Sequence, residues 1–217
     1  MKLYFHPLST YSQKVLIAFY EKGVPFEPQI VSLFDPAARA EYEKMYPLGK
    51  IPSLVRDDGW FIPESTIIIE YLEGYFPEMG QRLIAADRDQ ARQARFMDRM
   101  LDNYVNNTFV KIFFDARQPA ANRDPQGVAS AKSTLDKMYA YMERQLAERT
   151  WLLGDQFSLA ECAAAPPLGY LRNVYPFTAF PSVVQYWQRL EARPSVARVL
   201  AEAAPHFQAM IAAGSPG

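Results

Sequence analysis

Residues 51–72 read IPSLVRDDGWFIPESTIIIEYL, and their pattern changes partway through. The first part, IPSLVRDDGWFI, holds two short apolar runs joined at Asp58-Gly59. That dipeptide is a two-residue hairpin signal, so two neighbouring strands are expected. From Glu64 to Phe76 the sequence ESTIIIEYLEGYF predicts a helix instead. Its three isoleucines are β-branched, but Leu72 and the length of the span favour helix over strand.

Working outward to the N-terminus, Asp35-Pro36 supplies a cap and a first-turn proline for a helix over 36–46. PFEPQIVSL (25–33) reads as a strand. Val15, Leu16, Ala18 and Phe19 recur at helical spacing from Tyr11 until Gly23 stops them, and MKLYFH (1–6) reads as the first strand. The order is β-α-β-α-β-β-α, a unit expected to span 1–77. Residues 78–86 (EMGQRLIAA) read as a linker, and 87–217 as an all-helical domain. A long helix is expected from Asp87 to about Arg117, with Phe96, Met97, Met100, Leu101, Tyr104, Val105 and Thr108 at three- and four-residue intervals. A second helix covers about 125–148. A third follows FSLAE, where Ser158 and Glu161 have capping-box spacing and Phe157 is placed as a staple. Pro166-Pro167 should kink or interrupt it. Helices over about 181–192 and 194–204 precede a terminal Gly-Ser-Pro-Gly expected to fray.

Composition narrows the chemistry. With 49% hydrophobic and 22% charged residues, the 217-residue chain is globular and long enough for two small cores. Net charge is −1 and no run of like charge exceeds two residues, so neither a nucleic-acid nor a polybasic membrane surface is expected. No apolar stretch approaches the ~20 residues that span a bilayer, and the N-terminus has no secretory pattern. A soluble, cytoplasmic protein is expected. The single cysteine, Cys162, excludes an internal disulfide, a dithiol motif and a cysteine-based zinc cluster. Two distant histidines, His6 and His206, make a metal site unexpected. Any redox chemistry is therefore expected to use a thiol the chain does not own.

Three ordered segments carry a resemblance. YPLGKIPSL (46–54) resembles the Asn-Pro-x-Gly-Lys-Val-Pro-x-Leu segment of the glutathione transferase superfamily. PESTIIIEYL (63–72) resembles its Glu-Ser-x-x-Ile-x-x-Tyr-Leu segment, and FSLAECAAAPPLGYL (157–171) its second-domain capping motif and helix. Tyr46 stands where asparagine is usual, and Glu161 where aspartate is usual. The resemblance implies an α/β thioredoxin-like N-terminal domain plus an all-α C-terminal domain, with glutathione as co-substrate and no metal. It also implies a homodimer, mostly through the helices around 64–75 and 87–117.

Residue roles follow from the same resemblance. Ile51-Pro52 should be cis, turning the Ile51 backbone toward the peptide of glutathione; read alone, it is a plain proline at a strand start. Glu64 should take the ligand ammonium, and Ser65 with the helix N-terminus its carboxylate; read alone, the pair is a cap with a favourable charge. Lys50 is placed for the glycyl carboxylate, or is a solvated surface lysine. Tyr104, Asn107 and Tyr170 are candidates for an electrophile pocket, with ordinary packing as the alternative.

The loop FHPLSTYSQKVL (5–16) holds four consecutive hydroxyls, Ser9 to Ser12. A thiol with a pKa of ~8.5 is about 3% ionised at pH 7, and lowering it by ~2 units takes roughly 2.7 kcal/mol. One hydrogen bond to a charged acceptor supplies ~1.5–3 kcal/mol and a helix N-terminus up to ~1–2, so a serine suffices without a base. His6 then reads as structural. Serine-using members place the residue just after the first strand, which Ser9 matches best. Ser12, nearer the helix start, reads as its N-cap and a glutathione contact; Thr10 and Tyr11 sit less directly. The expected activity is conjugation of the glutathione thiolate to hydrophobic electrophiles. A glutathione-dependent isomerase or dehalogenase and a non-catalytic binding module are the alternatives.

Overall fold

The computed structural model describes residues 1–212, so the Gly-Ser-Pro-Gly tail lies outside the described residues. The chain divides into two compact units, Met1–Arg82 and Leu83–Gly217.

The first unit runs β1 (Lys2–Phe5), α1 (Thr10–Lys22), β2 (Glu27–Ile30), α2 (Pro36–Met45), β3 (Ser53–Val55), β4 (Phe61–Pro63) and α3 (Ser65–Tyr75). Its sheet has the order β2-β1-β3-β4. β1 and β2 are parallel, which requires the α1 crossover, and the other two pairings are antiparallel. β2 is shorter than the span 25–33 and sits at a sheet edge, where Pro28 is tolerated. Leu3 and Phe5 of β1 are buried, as are Leu16, Phe19, Leu54, Ile68 and Leu72 of the same unit. α1 is enclosed on most of its surface, and even Lys22 is buried, paired with Glu73 at 2.9 Å. Gly23 ends α1 in the left-handed region at φ 65°.

The hairpin differs from its sequence expectation. β3 and β4 close on the pair Arg56–Trp60 (Arg56 N–H to Trp60 O, 3.0 Å), leaving the three-residue loop Asp57-Asp58-Gly59. Gly59, at φ 85°, takes the left-handed position of that loop, so the dipeptide marks the turn but not its length.

The second unit contains α4 (Arg88–Leu101), a π-helical turn (Asp102–Asn106), α5 (Asn107–Asp115), a short 3-10 turn (Ala120–Asn122), α6 (Pro125–Leu146), α7 (Leu159–Val174), α8 (Pro181–Ala192) and α9 (Pro194–Ala212). The single helix expected over 87–117 is thus interrupted. Its buried stripe is Met97, Leu101, Val105 and Phe109, whereas Phe96 and Tyr104 face solvent. Steps of four residues drift about 40° each on an α-helix, and the wider π turn absorbs that drift. α7 runs without a break through Pro166 and Pro167. α9 likewise passes Pro205 and continues to Ala212, beyond the expected end near 204.

Candidate functional site

Sheet register gathers the candidate residues of the first unit. Tyr4, Ser53 and Pro63 lie in one row across β1, β3 and β4. Beyond that row, at the same end of the sheet, β1 leads into His6 and the loop to α1. β3 is entered there from Ile51-Pro52, and β4 runs out into Glu64-Ser65.

The loop after β1 is a tight turn, with the Ser9 N–H bonded to the His6 carbonyl at 3.0 Å. Gln13 Nε2 clamps it by donating to the Pro7 carbonyl at 2.7 Å, and the Leu8 N–H donates to His6 Nδ1 at 3.2 Å. Helix α1 begins at Thr10, so the cap assignment reverses: Ser9, not Ser12, is the N-cap. Ser9 Oγ accepts from the Ser12 N–H at 3.3 Å, while its own hydroxyl proton has no acceptor among the described residues. Ser12 is fully enclosed, and its Oγ accepts from the His6 N–H at 3.3 Å. Its hydroxyl faces the end of β1. Thr10 is buried and Tyr11 half-buried.

The Ile51–Pro52 peptide bond is cis. β3 begins only at Ser53, so Ile51 lies outside the ladder. A residue missed in the sequence, Tyr42, fixes this approach. It is the one buried residue of α2, and its hydroxyl donates to the Lys50 carbonyl at 2.7 Å. With that proton committed, the 2.7 Å contact between the Tyr42 and Ser53 hydroxyls has Ser53 as donor. Burial pushes the Tyr42 phenol up to about 12, so it remains a donor at neutral pH. The Lys50 side chain is exposed. The signal for Tyr42 was a lone aromatic on an otherwise polar helix.

Glu64 has φ 73° and ψ 126°, a region that side-chain-bearing residues rarely enter. It occupies the N-cap position of α3 without making a side-chain cap bond. Its exposed carboxylate accepts instead from the Tyr46 hydroxyl, at 3.4 Å, and forms no ion pair among the described residues. Burial, and then the Glu64 charge, raise the Tyr46 phenol above its ordinary value. Ser65, the first residue of α3, is buried, and its hydroxyl bonds to no other described residue. Lys14 Nζ donates to Thr66 Oγ1 at 3.0 Å, tying α1 to the first turn of α3.

In the second unit, Tyr170 of α7 is half-buried and stacks on Phe109 (centroids 5.1 Å, planes 14° apart), beside Phe113 at 6.3 Å. Tyr104 lies in the π turn with its side chain exposed, and Asn107, also exposed, opens α5. Sequence reasoning missed Phe109 and Phe113, the residues that Tyr170 packs on. Among the described residues no cluster of three His, Cys, Asp or Glu is placed to hold a metal ion.

Comparisons with known proteins agree with the fold of both units. The family model for the glutathione S-transferase N-terminal domain matches residues 3–80, and that for the C-terminal domain matches residues 112–209. The chain is 29% identical to glutathione S-transferase GstB of Escherichia coli K12, over 88% of this chain and 93% of that protein. A crystal structure of a Methylobacterium radiotolerans glutathione S-transferase in complex with glutathione sulfonate is 32% identical. It superposes with a TM-score of 0.80, covering 91% of this chain and 93% of the other. Glutathione transferase F7 of Populus trichocarpa is 27% identical, with a TM-score of 0.82 over 93% and 98% of the two chains.

Proposed function

The chain belongs to the glutathione S-transferase family, and on that premise we propose that it binds glutathione on its first unit and conjugates the thiolate to hydrophobic electrophiles. One observation carries the serine assignment. The Ser9 hydroxyl accepts one bond from the backbone, keeps its proton uncommitted among the described residues, and caps the N-terminus of α1. A thiolate at that point would receive a hydrogen bond and the positive end of a helix together. These supply about the 2.7 kcal/mol that a two-unit fall in thiol pKa demands.

The rest of the ligand follows from charge. Glutathione begins in an α-amino acid head group carrying an ammonium and a carboxylate. Glu64, without an ion-pair partner among the described residues, takes the ammonium. The Ser65 hydroxyl and the N–H groups of α3, which no side chain caps, take the carboxylate. The Ile51 backbone pairs with the peptide of the ligand, and the exposed Lys50 ammonium meets the glycyl carboxylate. Ser12, enclosed and engaged by His6, supports the Ser9 loop from behind instead of touching the ligand. Tyr104, Asn107 and Tyr170 shape electrophile selectivity, and the working enzyme is a cytoplasmic homodimer. A non-catalytic scaffold has no physical need for a strained acidic residue and an uncapped helix at the same end of the sheet.

The test is glutathione-dependent conjugation of a generic aromatic halide, with ultraviolet titration of bound thiolate, in wild type and Ser9→Ala. The substitution should return the bound thiol toward its free pKa of ~8.5 and slow conjugation by about 10- to 100-fold at neutral pH. An unchanged thiolate fraction in Ser9→Ala removes Ser9 from the mechanism.

A further inference from the structure

Tyr46 stands 18 residues before Glu64 and is the one described residue that hydrogen-bonds its carboxylate. Its own position is fixed on every side. The Tyr46 N–H bonds to the Tyr42 carbonyl at 3.0 Å as α2 ends, and its carbonyl accepts from the Gly49 N–H at 2.8 Å. Pro47 follows it and restricts its backbone to extended values, matching the observed φ −133° and ψ 97°. The ring packs on Phe61 of β4 with centroids 5.3 Å apart. A rigidly placed phenol therefore points at a carboxylate whose backbone, at φ 73°, already aims it away from its own helix. The phenol is a neutral donor: it orients one oxygen of Glu64 without cancelling the charge, as a lysine or arginine would. The second oxygen is left for an incoming cation.

We propose that Tyr46 is a positioning residue for Glu64, holding its carboxylate so that the site selects ligands with an α-ammonium group. This rests on the reading of Glu64 given above. Asparagine is usual at this position in the family segment that 46–54 resembles, and it carries no phenol, so the resemblance does not itself supply this contact.

Calorimetric titration with glutathione and with its deamino analogue, the same tripeptide with hydrogen in place of the α-amino group, separates the possibilities. Wild type should prefer glutathione, and Glu64→Gln should lose most of that preference. Tyr46→Phe keeps the ring on Phe61 and removes only the hydroxyl. It should reduce the preference by about fivefold, one net hydrogen bond, with binding of the deamino analogue unchanged. Equal weakening for both ligands would mean a merely structural role and overturn the inference. A wild-type preference in Tyr46→Phe, alongside its loss in Glu64→Gln, also overturns it while leaving the Glu64 reading intact. Retention of the preference in Glu64→Gln overturns both, and a wild type that binds neither ligand overturns the proposed function itself.

Discussion

Glu64 holds a backbone conformation, φ 73° and ψ 126°, that costs an ordinary residue on the order of 1–3 kcal/mol. Glycine enters that region without penalty, though it adds freedom to the unfolded chain. Glu64→Gly should therefore stabilise the ligand-free protein by about 0.5–1 kcal/mol, raising its melting temperature by roughly 1–4 °C. The same change should weaken glutathione binding, because the carboxylate is gone. Calorimetric melting and titration check both halves, and a melting temperature that falls would show that the surroundings relieve the strain. Nothing in PESTIIIEYL announces a positive φ at a glutamate. Glu64 was legible as an acidic residue opening a helix, whereas its distorted backbone arises from β4 turning into α3. The four hydroxyls after β1 were equally visible, yet their division of labour hung on one boundary residue. With α1 starting at Thr10, capping passes to Ser9 and Ser12 turns inward.

Elements were legible where their signals are local. The Ser158–Glu161 spacing correctly places the start of α7, with Glu161 Oε2 accepting from the Ser158 N–H at 2.8 Å and its hydroxyl at 2.7 Å. The other carboxylate oxygen was not foreseeable. It accepts from the Leu152 N–H at 2.9 Å and the Tyr186 hydroxyl at 3.1 Å, donors nine and 25 residues away in sequence. Glu161 is thus a fully buried hub joining α7 to the turn before it and to α8, as well as a cap. Burial raises its carboxyl while the four donors oppose that rise. Ser158→Ala should cost about 1 kcal/mol, as a lost N-cap does. Glu161→Ala orphans buried donors from three segments and should cost about 3 kcal/mol or more. Urea midpoints of the two variants decide it, and equal costs would reduce Glu161 to an ordinary capping residue. The π turn was hidden for a related reason: its cause is the alignment of Leu101, Val105 and Phe109 with packed neighbours, and helical spacing alone cannot register a single wider turn. Proline did not interrupt these helices: α7 continues through Pro166-Pro167 and α9 through Pro205, within a packed domain where an isolated helix would end.

Across the whole molecule the β-α-β-α-β-β-α order and the helical remainder were legible because periodicity is repeated over many residues. The family was legible in three local segments, and the expected chemistry drew also on what the chain lacks. It has one cysteine in 217 residues. That residue, Cys162, is completely enclosed in α7, directly after the Glu161 hub. A buried thiol behaves as a small apolar side chain and is shielded from reagents until the structure opens. The reactive sulfur of a conjugation step must then arrive with the ligand. Native protein should resist a thiol-specific reagent, and unfolded protein should consume one equivalent. Cys162→Ala should cost about 1 kcal/mol of stability through a small cavity while conjugation stays within about twofold of wild type. A large fall in conjugation by folded Cys162→Ala, with glutathione binding intact, would place the chain's own thiol in the reaction and overturn the proposal of a borrowed thiolate at Ser9.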